Sequence, residues 1–440
     1  DSAHQKQRLA PFMQQYLIPS EFFATTPTHL LDVFSHFASQ PWAMLLDSAA
    51  PEHVNSRFDI LVAEPIATLE AAQSETVLTD ETGTHRYQTD PFTVLDAALK
   101  RYFPTPVDSS LPFVGGALGY FGYDLGRYIE KLPHTASADI ALPDLAIGFY
   151  QWALILDKQQ QQLWCVDYAG SAQERWQKLQ QRLTQSSAFT NDFTLTGNWQ
   201  ANMDKAGYTE RFNQVQQYLL SGDCYQINLT QRFSAPYQGD EWHAYRTLRD
   251  KNAAPFSAFI RLPQGAVLSI SPERFLQLHS RKVETKPIKG TRPRGICPMT
   301  DEVEADNLRH SAKDRAENVM IVDLLRNDLG KVCLPGSVAV PQLFAIESFP
   351  AVHHLVSTVT GTLAPPNTAC DLLRAAFPGG SITGAPKISA MQLIEQLEPH
   401  RRSVYCGAIG YISSTGQMDT NIAIRTLICE QGQIHCWAGG

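Results

Sequence analysis

The stretch "PFSAFIRLPQGAVLSISPERFLQLHSRKVETKPI", residues 255–288, decides the fold class. Four short runs, FSAFIRL, GAVLSIS, ERFLQLH and KVETKPI, are separated by turns of a few residues at PQG, SPE and SRK. Parallel strands need crossovers of a dozen or more residues, so connections this short mean antiparallel pairing. Outward from this stretch the pattern continues. "CYQINLTQRF" alternates upstream, and the chain closes with "SVYCGAIGYIS", "MDTNIAIRTLICE" and "IHCWAGG", joined by turns at STGQ and QGQ. "AIGFYQWALIL" and "LWCVDYA" read as two more strands around a Gln-rich turn. Helical periodicity appears in "SAQERWQKLQQRLTQ", in "DKAGYTERFNQVQQYLLSGD" up to Gly222, and around residues 304–329, 368–376 and 384–397. Strands and helices fall in separate runs, which indicates an α+β fold. The polar, aperiodic "SSAFTNDFTLTGNW" reads as a linker near residue 190, dividing an N-terminal region, 1–190, from a region spanning 200–440.

Composition narrows the function. Of 440 residues, 43% are hydrophobic and 18% charged, which supports a packed interior rather than disorder. The net charge of −8 argues against nucleic acid as a partner, since binding phosphates needs a basic face. No apolar run is long enough for a membrane helix, and the first residues carry no signal-peptide pattern. Eight scattered cysteines with no CxxC pair read as reduced thiols, hence a cytoplasmic protein.

Two motifs fail on inspection. "GGSITGAPK" has the glycine spacing of a phosphate loop, but APK replaces the required GK[ST]. "KVCLPG" has a cysteine in an elbow-like setting, but Pro335 interrupts it, so Cys333 is expected to be buried and inert. The chain is thus expected to carry no glutaminase of its own.

Four cations, Lys286, Lys289, Arg292 and Arg294, crowd "KPIKGTRPRG", a candidate pocket for a small anion. Lys289 is either a solvated residue at the end of a strand or a nucleophile, and Gly290 beside it permits close approach of a ligand. Glu273 lies on a turn between two apolar strands. It is a surface residue, or a general acid if it faces a closed cleft. Asp314 and Glu317 leave one side of a helix, either for solubility near its N-terminus or as oxygen ligands for Mg2+. His354 begins a strand and can be structural or catalytic. Asp419, Asn421 and Arg425 alternate on one face of the read strand "DTNIAIRTL", so a mid-strand Arg425 would need an anion to pair with.

Taken together, "SISPERFL", "KPIKGTRPRG", "KDRAENVMIVDLLRNDLGKV", "VHHLVSTVTGTL", "FPGGSITGAPKISAMQLIE" and "YCGAIGYISSTGQMDTNIAIRTL" resemble the ordered signature of the chorismate-utilising enzymes. The resemblance is strong over residues 200–440. "PWAMLLDSA", "SRFDILVAEP" and "FVGGALGYFGYDLGRYIE" extend it into the N-terminal half, as in the family's amine-adding members. It implies two large, mostly antiparallel sheets packed as a sandwich, helices outside and an active site in the cleft between them. Gln226 stands where water-adding members carry a lysine, and Lys289 stands where anthranilate-forming members carry alanine. The resemblance therefore implies amination of chorismate at C4, on the para-aminobenzoate and folate side of the family, with anthranilate formation and a non-catalytic tryptophan-binding paralogue as alternatives. It makes Lys289 the nucleophile, Glu273 the acid and Glu317 a ligand of Mg2+. Gly290, Thr291, His354, Tyr405 and Arg425 become substrate contacts. It implies that a separate glutamine amidotransferase subunit supplies ammonia. It implies a tryptophan pocket built from Ser48, Asn55, Ser56, Arg57, Phe58, Pro255, Phe256 and Ser257. In the family a segment beyond "WAGG" adds further metal carboxylates; the sequence given reaches Gly440, so either that segment follows it or the metal site is incomplete.

Overall fold

The computed structural model describes residues 13–22, 29–50, 53–185 and 190–440. The N-terminal dodecapeptide read for targeting, and part of the linker read at 186–199, lie outside the described residues. Two large sheets dominate, and every strand pair in them is antiparallel. One runs in the order 14–17, 162–167, 152–157, 58–62, 44–47, 256–262, 265–271, 426–430, 433–439, 230–239, 193–195. The other runs 288–293, 352–362, 282–285, 274–279, 418–421, 408–413, 116–121, 145–150, 67–72, 75–80, 83–87. Strands from both halves of the chain thus alternate within each sheet.

A shared core lies between the sheets, joining Met44, Ile60 and Val267 of the first to Leu118, Phe149 and Leu276 of the second. Removing apolar surface from water at these positions is the main stabilising term. The other face of the first sheet is covered by helices. There Phe34, Trp242, Tyr245 and Phe259 interlock edge to face and stacked, with ring centroids 4.8–5.8 Å apart. Helix Lys205–Ser221 ends on Gly222, whose φ of 81° is the left-handed conformation glycine tolerates best. It packs through Val215 on helix Lys387–Leu397.

Three sequence readings are corrected. "AIGFYQWALIL" is not one strand: Leu145–Tyr150 belongs to one sheet and Trp152–Asp157 to the other, with the switch at Gln151. The helix expected over 304–329 is two helices, Pro298–His310 and Ala312–Gly330, because Ser311 ends the first and caps the second by accepting from the Asp314 N–H. Within the read linker, Phe193–Leu195 pairs as an edge strand with Thr230–Gly239.

The chain also changes sheet at Pro272–Glu273, between Gly265–Ser271 and Arg274–His279, and at residues 422–425, between Met418–Asn421 and Thr426–Glu430. Arg425 is therefore not mid-strand. It sits in the connection with φ of 49°, and the expected alternation with Asp419 and Asn421 stops there. The two switch points lie side by side. Ile422 N–H donates to the Glu273 carbonyl at 3.0 Å, and Ile270 N–H donates to the Arg425 carbonyl at 3.0 Å.

Candidate active site

The paired switch points form one wall of a 360 Å³ cavity between the sheets. Glu273, Lys289, Gly290, Thr291, His354, Tyr405 and Arg425 all line it. Seven residues singled out in the sequence, spread over more than 150 positions, therefore share one space.

The basic cluster resolves into one special member. Lys286 is paired with Glu347 at 2.5 Å, Arg292 with Asp314 at 2.8 Å, and Arg294 with Asp301 at 2.6 Å. Lys289 instead turns inward and donates to the amide oxygen of Asn228 at 3.3 Å. It is the second residue of strand Ile288–Pro293, not the last of the strand before it. Burial holds its pKa below the usual lysine value, against the opposing charges of Glu273 and Glu317. Gly290 has φ of 100°, and a Cβ there would meet Leu308 and Asp314 at 2.9–3.1 Å. Glycine at 290 is what lets the helix pair pack against this strand.

Glu273 is 3% exposed. Burial pushes its carboxyl up to about 7, partly offset by a hydrogen bond from Ser381 and the charge of Lys289. The Ile288 N–H also approaches its Oε1, at 3.4 Å. His354 shares a hydrogen bond between Nδ1 and Thr291 Oγ1 at 2.9 Å, while its Nε2 is buried without a protein partner. Burial and the nearby Arg425 lower its pKa to about 4, so the ring is neutral at pH 7. Tyr405 stacks on Trp437, centroids 5.4 Å apart and planes 8° from parallel. Arg425 stands exposed at the rim, on the same cavity.

Asp314 is taken up by Arg292, which leaves Glu317, half-buried, as the freer of the two helix carboxylates. Among the described residues no group of three His, Cys, Asp or Glu side chains could hold a metal ion. One carboxylate can still serve Mg2+, which keeps several waters and takes its remaining oxygen donors from the substrate.

Asn228, Ser381 and Trp437 carried no signal in the sequence beyond their motifs, yet they touch Lys289, Glu273 and Tyr405 respectively. Ser381 comes from the discarded "GGSITGAPK". The lysine of that motif, Lys387, is consumed in a buried ion pair with Asp328 at 2.5 Å. Cys333 is buried, with its thiol pKa raised by burial. Gln226 is two residues from Asn228 on strand Gln226–Ile227, its Oε1 lacking a protein partner.

A second cavity of 400 Å³ lies behind the same switch points. Ser48, Asn55, Arg57, Phe58, Pro255 and Phe256 line it. Ser56 and Ser257 do not: Ser257 Oγ donates to the Ala254 carbonyl at 2.9 Å. At its centre Arg274 forms a two-bond pair with Asp419, both at 3.1 Å, and reaches Glu284 at 3.2 Å and Asn55 at 3.1 Å.

The chain is similar to known proteins along nearly all its length. A family model described as chorismate binding enzyme matches residues 43–440. Aminodeoxychorismate synthase component 1 of Salmonella typhimurium is 56% identical over 404 residues, covering 91% of this chain and 87% of that one. The Escherichia coli protein of the same name is 54% identical, covering 92% and 89%. Anthranilate synthase component 1 of Geobacillus stearothermophilus is 35% identical, covering 93% and 85%. Among solved structures, anthranilate synthase component I of Streptococcus pneumoniae superposes with a TM-score of 0.79 at 30% identity, covering 88% of each chain. With its two antiparallel sheets and the cavity between them, this chain belongs to the chorismate-binding enzymes.

Proposed function

We propose that this chain is the synthase subunit that converts chorismate and ammonia into 4-amino-4-deoxychorismate. The observation that carries the reading is the amine of Lys289, bonded to an amide oxygen and to no carboxylate, facing the same cavity as the protonatable Glu273. In its deprotonated form, which burial favours, the Lys289 amine attacks C2 of chorismate. As the C–N bond forms, both conjugated ring double bonds shift, from C1–C2 to C1–C6 and from C5–C6 to C4–C5, and the C4–oxygen bond breaks. Glu273 gives its proton to the departing hydroxyl, which leaves as water. Ammonia then attacks C4, both double bonds shift back, and the bond from C2 to lysine breaks. The proton lost by ammonia returns to the Glu273 carboxylate, and the lysine amine is regenerated.

Arg425, with Tyr405 beside it, suits the enolpyruvyl carboxylate, because guanidinium pairs with carboxylate through two N–H bonds. Gly290 and Thr291 lie where a ring would meet backbone, and the neutral His354 presents its free Nε2 near the leaving oxygen. Glu317 would be one ligand of the Mg2+ that enzymes of this family use. Bound there, the ion would polarise the ring carboxylate and make C2 more electrophilic. The name "component 1" of the relatives supports a separate glutaminase as the ammonia source. Ser48, Asn55, Arg57, Phe58, Pro255 and Phe256 support tryptophan as the occupant of the second cavity, with Ser56 and Ser257 behind them. Calorimetric titration with tryptophan tests that point, and no binding at millimolar ligand would overturn it.

The test of the activity is mass spectrometry after incubation with chorismate, Mg2+ and ammonium. The expected product is 4-amino-4-deoxychorismate. Anthranilate with pyruvate, or no product, would overturn the reading.

A further inference from the structure

Asn228 lies in the read strand "CYQINLTQ", where alternation gave no reason to single it out. In the fold it leaves the strand register. Its main-chain N–H donates to the Thr383 carbonyl at 2.9 Å, and its own carbonyl accepts from Arg402 at 2.8 Å. Arg402 is 1% exposed and paired with Glu398 at 2.8 Å, and Glu398 also accepts from the Thr230 N–H at 3.1 Å. A buried ion pair therefore holds the backbone at the Asn228 carbonyl and at Thr230, two residues on.

The side chain is equally constrained. Nδ2 donates to the Ser381 carbonyl at 2.8 Å, so Oδ1 is the atom that faces Lys289 Nζ at 3.3 Å. The opposite flip would set carbonyl against carbonyl and lose the bond to Ser381. Ser381 also hydrogen-bonds the Glu273 carboxyl. One amide thus ties the amine to the segment that holds the acid.

An amide oxygen suits a nucleophilic lysine. A neutral amine has two N–H donors and one lone pair. Binding one N–H fixes the amine's direction and leaves the lone pair free. A carboxylate in the same place would fix direction too, but it would hold the amine as ammonium. Resting on the reading of Lys289 as nucleophile, we propose that Asn228 is its positioning residue: the Oδ1 atom holds one N–H so that the lone pair faces the substrate carbon.

The charged or titratable groups around this amine are Glu273, Glu317 and Cys406, with Arg425 and His354 on the same cavity. Asn228→Ala is expected to lower kcat by about 10- to 100-fold with KM for chorismate within about twofold, since orientation is lost and binding is not. Without ammonia, the rate of adduct formation on the enzyme, followed by intact-mass spectrometry, should fall by the same factor. Asn228→Asp keeps the shape, and its pH–rate profile should move to higher pH by about one unit or more. The inference is overturned if either variant keeps wild-type kcat per folded molecule, or if Asn228→Asp loses activity with its pH profile unmoved. Lys289→Ala separates the two ideas. If it retains full activity, the nucleophile reading falls and this inference with it. If it is inactive while Asn228→Ala is normal, only the role of Asn228 falls.

Discussion

Glu273 and Arg274 are neighbours in sequence but belong to different cavities. Each sits where the chain switches sheet, and successive residues leave an extended backbone on opposite sides. On the Arg274 side the charges are satisfied within the protein, by Asp419, Glu284 and Asn55. On the Glu273 side they are not. There the lysine has only an amide for a partner, the histidine Nε2 has none, and the carboxyl is held near neutrality. Paired charges make a rigid, preformed pocket. Unpaired buried groups cost stability and are poised to bind and to react.

Lys289→Ala should break the reactive side most severely. Ammonia-dependent kcat is expected to fall by at least about a thousandfold, near 4 kcal/mol, while thermal unfolding shows the fold intact. Arg274→Ala should break the other side. It strands Asp419 beside Glu284 and is expected to cost about 3 kcal/mol by denaturant unfolding, with little change in kcat of the folded fraction.

Glu273→Gln sharpens the contrast, because it should harm activity and help the fold. Loss of the proton donor is expected to lower kcat about a hundredfold. The folded-state pKa of about 7 lies above the ordinary 4.5. Between those values the folded protein keeps a proton that the unfolded chain has released. Stability from this group is therefore full below about pH 4.5 and gone once pH passes about 7. Relative to wild type, the glutamine variant should be more stable at pH 8 than at pH 4.5 by up to about 3 kcal/mol, read from urea midpoints at the two pH values. Arg425→Ala, at the open rim, should have the smallest effect, a rise in KM for chorismate of about tenfold, or 1.4 kcal/mol, in steady-state kinetics.

Much of this was legible in advance. Short turns between Phe256 and Thr285 required antiparallel pairing, and the motif residues Glu273, Lys289, His354 and Arg425 do meet in one cavity. What was not legible depended on distant partners. Nothing near Gln151 signals a change of sheet, since both flanking segments are apolar and buried on both faces. The stripe Asp314–Glu317 looked like a carboxylate pair until Arg292, 22 residues earlier, took the first of them.

The sequence by itself determined which side chains leave each strand together and how closely the strands must follow one another, because spacing and turn length act locally. Only the tertiary structure decided which charges are quenched. Lys286 and Lys289 are three residues apart with the same side chain. One meets Glu347 and the other Asn228, each 61 positions away along the chain. Burial lowers the pKa of Lys289, and which partner each amine meets is decided by packing, not by neighbours in sequence.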